Sequence, residues 1–177
     1  MTCSMLTNAD VRLSTRSDPL RLAELRRLLI LDSTVERVYD DLTMLLANSL
    51  DVPISIINIL DEERDWFKST VGLSNRQGSA ETSLCNVFFT SSEDVVVVED
   101  ATQDARFAKH PLVVGTPFVR FYAAARLKVA GHTVGTLCVR DDKPRKVTTE
   151  QIQYIQTLAS AVTELLNQRA RVRAPAL

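Results

Sequence analysis

The stretch PISIINILDEERDWFKSTV, residues 53–71, carries the strand signals that decide the fold. Residues 53–60 are dense in β-branched isoleucine, and residues 65–71 form a second candidate strand. The polar residues 61–63 separate the two and can form a turn. Two strand-like runs joined by a short polar turn predict a β-hairpin.

Two helices are predicted before this hairpin. Asp18 is a good N-cap, Pro19 suits the first helical position, and leucines follow at helical spacing. Ser33 and Glu36 have the spacing of a capping box, in which Ser33 caps the helix and Glu36 reaches back. The apolar residues after it recur every three or four positions, which predicts a second helix to about Asn48.

The rest of the chain follows the same mixture of strands and helices. The predicted elements are a turn-like stretch at 72–80, a short helix at 81–91, a buried strand at 95–98, a long irregular loop at 99–120, strands at 121–129 and 133–140, and a helix from the capping box at 148–151 to about residue 169. Because hairpins join most of the strands, an antiparallel sheet is expected. The fold class is therefore α+β.

The predicted layers and boundaries follow from burial. The apolar stripes of the N- and C-terminal helices are expected on one face of the sheet, with the short helix and the long loop covering the other. Residues 18–169 are expected to form a single domain. Residues 1–17 are predicted to be a disordered lead, and residues 170–177 a frayed tail.

Composition excludes several classes of function. The chain has 21 basic and 22 acidic residues, so its net charge of −1 gives no electrostatic footprint for nucleic acid or for an anionic membrane. No apolar run is long enough to span a bilayer. Three cysteines without close spacing favour reduced thiols and a soluble, cytoplasmic protein.

Several short motifs occur in a familiar order. They are Leu31-Asp32-Ser33, Val52-Pro53-Ile54-Ser55, Asp65-Trp66-Phe67-Lys68-Ser69, Ser83-Leu84-Cys85, Val97-Val98-Glu99-Asp100-Ala101, Asp104-Ala105-Arg106-Phe107, Phe121-Tyr122-Ala123-Ala124-Ala125 and Gly135-Thr136-Leu137-Cys138-Val139. Each is weak alone, but their order and spacing over residues 20–168 resemble a GAF domain. The resemblance is greatest to GAF domains that lie N-terminal to bacterial histidine kinases and diguanylate cyclases.

The resemblance implies a sheet of five or six antiparallel strands, related to profilin and PAS folds. It also implies a ligand pocket on the face opposite the terminal helices, and homodimerisation through those helices. It names no cofactor, since GAF domains bind cyclic nucleotides, bilins, haem, amino acids or small anions, and some bind nothing. A bilin-binding domain would have histidine beside the attachment cysteine, whereas Asn86 follows Cys85.

Nine residues are candidates for contact with a ligand. Cys85 and Phe88 belong to the short helix. The long loop and the strand after it add charged and aromatic side chains that can line a pocket with polar groups and apolar walls: Asp100, Asp104, Arg106, Phe107, Arg120, Phe121 and Tyr122. An ion-paired loop anchored by Phe107 and Phe121 explains the same residues without a ligand.

Other chemistries lack their sequence signals. No cysteine or carboxylate stands at metal-ligand spacing from His110 or His132, so no metal site is predicted. The chain has no nucleophile elbow, P-loop or dinucleotide-binding glycine motif, and we do not expect an enzyme. Cys85 is either a small buried hydrophobic residue or a reactive thiol near a helix start.

Three functions remain open at this point. The first is a sensory module that binds a small molecule and signals through its terminal helices or to a separate output protein, since the printed sequence has no output domain after its last helix. The second is a dimerisation or protein-interaction module without a ligand. The third is a thiol redox sensor that uses Cys85.

Overall fold

A computed structural model describes residues 13–172, and residues 1–12 and 173–177 lie outside the described part. Its helices are α1 (Pro19–Arg27), α2 (Arg37–Leu50), α3 (Pro111–Val114) and α4 (Thr149–Val172), with a 3₁₀ helix at Leu84–Phe89. Its strands are β1 (Ile54–Leu60), β2 (Arg64–Val71), β3 (Gln77–Ser79), β4 (Val95–Val98), β5 (Phe121–Val129) and β6 (His132–Asp141). The α+β class and the predicted strands are confirmed.

The six strands form one antiparallel sheet in the order β3-β2-β1-β6-β5-β4. The edge strand β3 falls in the stretch that we predicted to be turn-like, and its sequence, QGS, carries no strand propensity. It pairs with β2 through Arg64, Asp65 and Trp66, so the neighbouring strand specifies it.

Alternate strand residues divide the apolar core into two clusters, one on each face of the sheet. On the helix face, Leu25 of α1, Leu46 of α2 and Val162 of α4 are fully buried against residues such as Ile57 and Leu137. On the opposite face, the 3₁₀ helix and the loop of residues 99–120 pack over the sheet. The predicted layers are therefore confirmed.

The first and last helices begin as their sequences predict. The Asp18 carboxylate accepts hydrogen bonds from Leu20 N and Arg21 N at 2.8 and 3.0 Å. At α4, Thr148 and Gln151 form the reciprocal capping box, with bonds of 2.9 and 3.1 Å. The helix itself continues to Val172, three residues beyond the predicted end.

The capping box predicted at Ser33 and Glu36 is wrong. Helix α2 begins at Arg37, and Glu36 occupies the cap position without a side-chain capping bond. Lys68 explains the difference, because its ammonium donates to Ser33 Oγ at 2.8 Å and to Glu36 Oε1 at 2.7 Å. Glu36 also accepts a hydrogen bond from Arg169 of α4. Lys68 and Glu36 therefore connect strand β2 to helices α2 and α4.

A β-bulge puts Lys68 and Ser69, two consecutive residues of β2, on the same helix face of the sheet. Asn58 lies opposite Phe67 while Ile57 lies opposite Ser69, so Lys68 is the extra residue of β2. Consequently both Lys68 and Ser69 contact the region of α2, and Ser69 Oγ lies 2.8 Å from Thr43 Oγ1. Because Phe67 packs on the cavity face, strict alternation alone puts Lys68 on the helix face, and without the bulge it would send Ser69 to the cavity face.

The segment before α1 differs in part from the predicted lead. Arg16 donates hydrogen bonds to Asp61 O at 2.7 Å and to Asn86 Oδ1 at 2.8 Å, which packs residue 16 against the domain. The prediction of disorder for residues 1–12, and most of the predicted tail at 170–177, fall outside the described residues. Within residues 13–172, none of the helices combines the length and hydropathy that crossing a bilayer requires.

Candidate functional site

A cavity of about 310 Å³ lies on the sheet face opposite the terminal helices. Strands β1, β2, β3 and β6, the turn before the 3₁₀ helix, and the loop of residues 99–120 all contribute to its walls. The lining residues are Ile56, Asn58, Asp65, Phe67, Leu73, Asn75, Gly78, Ser79, Thr82, Ser83, Leu84, Cys85, Leu112, Pro117, Cys138 and Arg140. The predicted pocket position is thus where the structure has its cavity.

Asp65 is the centre of the polar wall. Its Oδ2 accepts from Asn58 Nδ2 at 2.8 Å and from the hydroxyl of Ser83, while its Oδ1 pairs with the Arg16 guanidinium. All of these groups are largely buried, with the Asp65 side chain 9% exposed. A buried carboxylate needs such partners, because an unpaired charge in this position would be costly.

Cys85 lies beside this cluster and is 3% exposed. Its sulfur is 3.1 Å from Thr136 Oγ1, and it accepts from the Tyr122 hydroxyl at 3.2 Å and from Asn58 Nδ2 at 3.4 Å. Ser83 Oγ caps the 3₁₀ helix by accepting from Cys85 N at 3.2 Å. The local sequence Ser83-Leu84-Cys85 therefore fixes the thiol at the floor of the cavity.

Cys85 and Cys138 both line the cavity, and each thiol affects the pKa of the other. Their hydrogen bond lowers the pKa of Cys85, although burial acts in the opposite direction, and the hydroxyls of Thr136 and Tyr122 also lower it. The same hydrogen bond and burial raise the pKa of Cys138 well above its usual value. Burial likewise raises the pKa of Tyr122, which stays a neutral donor. Of the pair, Cys85 is the thiol that ionises first.

Two polar atoms of the cavity wall have no partner. Asn58 Oδ1 and Arg140 Nε are both buried and make no hydrogen bond within residues 13–172. The oxygen of Asn58 must face away from Asp65, because the amide nitrogen donates to that carboxylate. Both atoms belong to side chains that line the cavity, one as an unused acceptor and the other as an unused cationic donor.

Arg126 holds the 3₁₀ helix, which forms the roof of the cavity face, against the sheet. Its guanidinium is buried and donates to the carbonyl oxygens of Phe88 at 2.8 Å and Ser91 at 2.7 Å. The guanidinium carbon also lies 5.0 Å from the centre of the Phe88 ring, a cation–π distance. Strand β5 thereby anchors the C-terminal end of the 3₁₀ helix.

The aromatic and thiol candidates divide between the two faces. Cys85 lines the cavity. Phe88, Phe107 and Tyr122 are buried in the apolar cluster on the cavity side, where the Phe107 and Tyr122 ring centres are 5.7 Å apart. Phe121, in contrast, packs in the helix-face cluster, because neighbouring strand residues point to opposite faces. Its predicted place at the pocket is wrong.

The charged candidates do not line the cavity. Asp100 accepts from Thr102 Oγ1 at 2.7 Å, and Asp104 pairs with Arg106 at 2.8 Å, so these groups stabilise the loop. The Arg106 hydrogen bond accordingly lowers the pKa of Asp104. Arg120 donates to the carbonyl oxygen of Val113 at 2.9 Å. These contacts match the alternative prediction, in which the charged residues pair within the loop and a buried Phe107 anchors it.

The polar groups of the cavity were missed at the sequence level. Asn58, Asp65 and Arg140 lie within predicted strands and were not proposed as ligand-binding residues. Arg16 lies in the predicted disordered lead. An asparagine inside the isoleucine run of β1 was the available signal, since an isolated amide in a buried strand requires partners. Among residues 13–172, no three His, Cys, Asp or Glu side chains converge as metal ligands would.

Comparisons with known proteins agree with this architecture. The GAF domain family model matches residues 21–165. A cyclic di-GMP phosphodiesterase of Pseudomonas aeruginosa is 37% identical over 126 residues, which are 71% of this chain and 21% of that protein. The chain thus spans about a fifth of that relative's length.

Solved structures share the fold at lower identity. The GAF domain of an Acinetobacter phosphoenolpyruvate-protein phosphotransferase has a TM-score of 0.64 at 20% identity, covering 87% of this chain and 96% of its own. The blue-light absorbing PixJ GAF domain of Thermosynechococcus elongatus has a TM-score of 0.62 at 17% identity, covering 85% and 91%. The free methionine-R-sulfoxide reductase of Neisseria meningitidis has a TM-score of 0.60 at 12% identity, covering 84% and 88%. These structures share the fold, and the family model that matches residues 21–165 shows that this chain belongs to the GAF domain family.

Proposed function

We propose that this GAF domain is a regulatory module that binds a small molecule in the cavity bounded by β1, β2, β6 and the 3₁₀ helix. The observation that carries the proposal is the pair of unpartnered atoms, Asn58 Oδ1 and Arg140 Nε, on side chains that line the cavity. A buried polar group without a partner costs about 1–3 kcal/mol, so a ligand that satisfies both atoms gains affinity from them.

The proposal is for binding without turnover. Asp65, the carboxylate of the cavity, is already engaged by Asn58, Ser83 and Arg16. Cys85 is surrounded by hydrogen-bonding neighbours and is 3% exposed. The ion-paired Asp65 carboxylate and the shielded Cys85 thiol can therefore form a fixed wall of the binding site.

A chain of contacts connects the cavity to the first helix. Asn58 contacts Asp65, which pairs with Arg16, and the Arg16 carbonyl accepts from Arg21 Nε at 3.0 Å. Arg21 is a fully buried residue of α1, and it also donates to Leu60 O at 2.7 Å. We propose that a ligand at Asn58 changes the Asp65–Arg16 pair and so the position of α1. Coupling of this kind requires two discrete arrangements of the contact.

The output of this signal is proposed to lie in another domain or protein, in the cytoplasm. The curated relative carries its matching segment within a cyclic di-GMP phosphodiesterase. Cys85 and Cys138 are free thiols, which agrees with a reducing compartment.

Homodimerisation through the helices stays part of the proposal, with a revised surface. Tyr39 of α2 and Ile155 of α4 are buried in the core and are not available for a dimer contact. Val35, Val38 and Leu45 remain 57%, 44% and 48% exposed on or beside α2. These three residues form the surface that we propose for the dimer.

A thiol switch is the second candidate function, and the position of the free thiols of Cys85 and Cys138 on the wall of one cavity favours it. Hydrogen peroxide would accept two electrons from the two thiols, leaving a Cys85–Cys138 disulfide and two water molecules. Intact-mass analysis under peroxide tests it, with Cys138→Ala as control. A loss of two hydrogens in the wild type is expected, and a sulfinic acid without disulfide would contradict the switch.

A thermal-shift screen with a cavity-filled variant tests the main proposal. A Cβ at Gly78 would meet Phe67 Cζ at an ordinary 3.5 Å, so Gly78→Leu adds bulk at the cavity wall without backbone strain. Ligands from a panel of carboxylates, amino acids, amines, polyols and nucleotides should raise the Tm of the wild type and of the exposed control Ala161→Leu, but not of Gly78→Leu. A flat response of the wild type to every class would overturn the proposal.

A further inference from the structure

The two unpartnered atoms also define which ligand fits. Asn58 lies opposite Thr136 and Ile54 lies opposite Arg140 in the β1–β6 pair, so Asn58 and Arg140 lie on the same face of the sheet. Their positions differ by four residues along β6, which corresponds to ~14 Å between backbones. Both side chains belong to the lining of the cavity.

The floor between these two ends is apolar. Ile56 pairs with Cys138 midway between Asn58 and Arg140, and both line the cavity. Phe67 of β2, opposite Asn58, adds an aromatic wall. A ligand in this space therefore meets an amide oxygen at one end, apolar atoms in the middle and a guanidinium at the other end.

The fixed charges of the cavity leave an excess of positive charge. Asp65 is neutralised by Arg16. Asp141, next to Arg140 in the sequence, is paired with Arg145 at 2.5 Å. Within residues 13–172, Arg140 makes no ion pair or side-chain hydrogen bond, so its charge has no internal counter-ion. An anionic group is the partner that a guanidinium binds best, through charge-assisted hydrogen bonds.

The volume limits the size of the ligand. A water molecule's share of liquid volume is about 30 Å³, so a cavity of about 310 Å³ holds on the order of ten non-hydrogen atoms. This is the size of a small organic acid. A cyclic dinucleotide is several times larger than this volume.

We propose that the ligand is a small organic anion that carries a hydrogen-bond donor at a distance of a few carbon atoms from its carboxylate. The carboxylate binds Arg140, and the hydroxyl, amide or ammonium donor binds Asn58 Oδ1. This inference rests on the proposed function, because it names the ligand class of the same cavity.

The experiment compares matched small molecules and matched variants. The probes are straight-chain carboxylates of two to six carbons in three sets: with a terminal hydroxyl, amide or amine, with no donor, and with the carboxylate replaced by a neutral hydroxyl. Binding is measured by titration calorimetry and by ligand-observed NMR on the full chain. Arg140→Met removes the cation and Arg140→Lys keeps it, and neither breaks a hydrogen bond within residues 13–172.

The inference predicts that donor-bearing carboxylates bind most tightly to the wild type. Loss of a charge-assisted hydrogen bond should weaken their binding at least about tenfold in Arg140→Met, with partial rescue in Arg140→Lys. Preference for neutral or amine probes, or anion binding that is unchanged in Arg140→Met, would overturn the ligand class and leave the proposed function standing. Absence of binding by these probes and by every class of the thermal-shift panel would overturn both.

Discussion

The two faces of the sheet use buried polar residues in opposite ways. On the helix face, the buried Lys68 ammonium binds Ser33, Thr34 O and Glu36, and thereby joins β2 to the helices. On the cavity face, Asp65 and Cys85 also have partners, but Asn58 Oδ1 and Arg140 Nε do not. Both of those atoms belong to residues that border open space.

This difference separates residues that hold the fold from residues that are available for binding. Among the described residues, Ser55 Oγ is the one buried side-chain atom of the helix face without a hydrogen-bond partner, and Ser55 does not border the cavity. The helix face also has an opening of about 300 Å³ between β4, β5 and α4, but none of the unpartnered buried atoms of residues 13–172 belongs to its lining. We therefore expect substitutions on the helix face to change stability, and substitutions at the cavity to change binding with smaller effects on stability.

The largest effect is expected from adjacent residues of β5 that face opposite ways. Phe121 is completely buried on the helix face, so Phe121→Ala should lower the free energy of unfolding by about 3–5 kcal/mol. Tyr122→Phe removes a hydroxyl from the cavity side at a cost of about 1 kcal/mol. Urea denaturation measures both. Equal losses would show that the two faces do not differ in this respect.

The same Tyr122→Phe variant has a second readout. Its hydroxyl donates to the Cys85 sulfur and lowers the pKa of that thiol. The variant should therefore raise the pKa of Cys85, so that a higher pH is needed to form the thiolate. Thiolate absorbance in a Cys138→Ala background, compared with and without Tyr122→Phe, measures it. An unchanged or lower pKa would contradict the assigned contact.

Removal of the Arg126 guanidinium should loosen the roof of the cavity. Arg126→Met leaves the carbonyl oxygens of Phe88 and Ser91 without their donor, at about 1–3 kcal/mol for each carbonyl that stays buried. Hydrogen exchange should accelerate in the 3₁₀ helix more than in α2 or α4. Uniform acceleration in all helices would indicate global destabilisation in place of a local roof contact.

Glu36 should make the helix face sensitive to acid. Burial alone would raise the pKa of Glu36, but hydrogen bonds and charges from Lys68 and Arg169 lower it below its usual value. A lowered folded-state pKa gives stability that is present above the unfolded-state pKa and lost as the pH falls through the folded-state pKa. Because the Glu36 side chain is 36% exposed, solvent screening limits the contribution to about 1 kcal/mol.

Glu36→Gln tests this assignment. The variant should lose stability at pH 7 and show a flatter decline between pH 5 and pH 3, approximate limits that bracket the usual glutamate pKa. Thermal unfolding across that range measures it, with Glu150→Gln at the exposed start of α4 as the matched control. An acid decline as steep as that of the wild type would assign the effect to other carboxylates.

The smallest effect on stability is expected on the outer side of α2. Val38→Glu and Leu45→Glu change exposed residues, so each should alter the free energy of unfolding by about 0.5 kcal/mol or less. If this surface forms the dimer, both variants should be monomeric by light scattering at concentrations where the wild type is dimeric. A wild-type monomer, or variants that still dimerise, would contradict the proposed interface.

Hydrophobic periodicity predicted the elements because burial dominates their formation. The strands at 54–60, 95–98, 121–129 and 132–141 and the helices before and after them all have apolar patterns that the core uses. Helix starts were predictable where one side chain caps its own helix, as at Asp18. At Ser33 the prediction failed because Lys68, which is distant in sequence, binds the same hydroxyl.

The cavity residues could not be found in the same way, because they depend on register and on long-range contacts. The β1–β6 register, in which Ile54 lies opposite Arg140 and Asn58 lies opposite Thr136, places the Asn58 and Arg140 side chains on one face, and no local sequence pattern specifies that register. Conversely, Asp100 and Arg106 are charged residue types that often line pockets. In the structure Asp100 accepts from Thr102 and Arg106 donates to Asp104, both near neighbours in the loop. Cys85 was located correctly because its motif also caps the 3₁₀ helix.

The most direct test of the account is an NMR titration of the ¹⁵N-labelled chain with the donor-bearing carboxylates. The account predicts chemical-shift changes that saturate and that concentrate at Asn58, Gly78, Ser83, Cys85 and Arg140, around the cavity, with smaller changes at Arg16 and Arg21. The same titration of Gly78→Leu should show none of them. Shifts confined to the outer surface of α2 and α4, or equal shifts in Gly78→Leu, would contradict a ligand site on the cavity face.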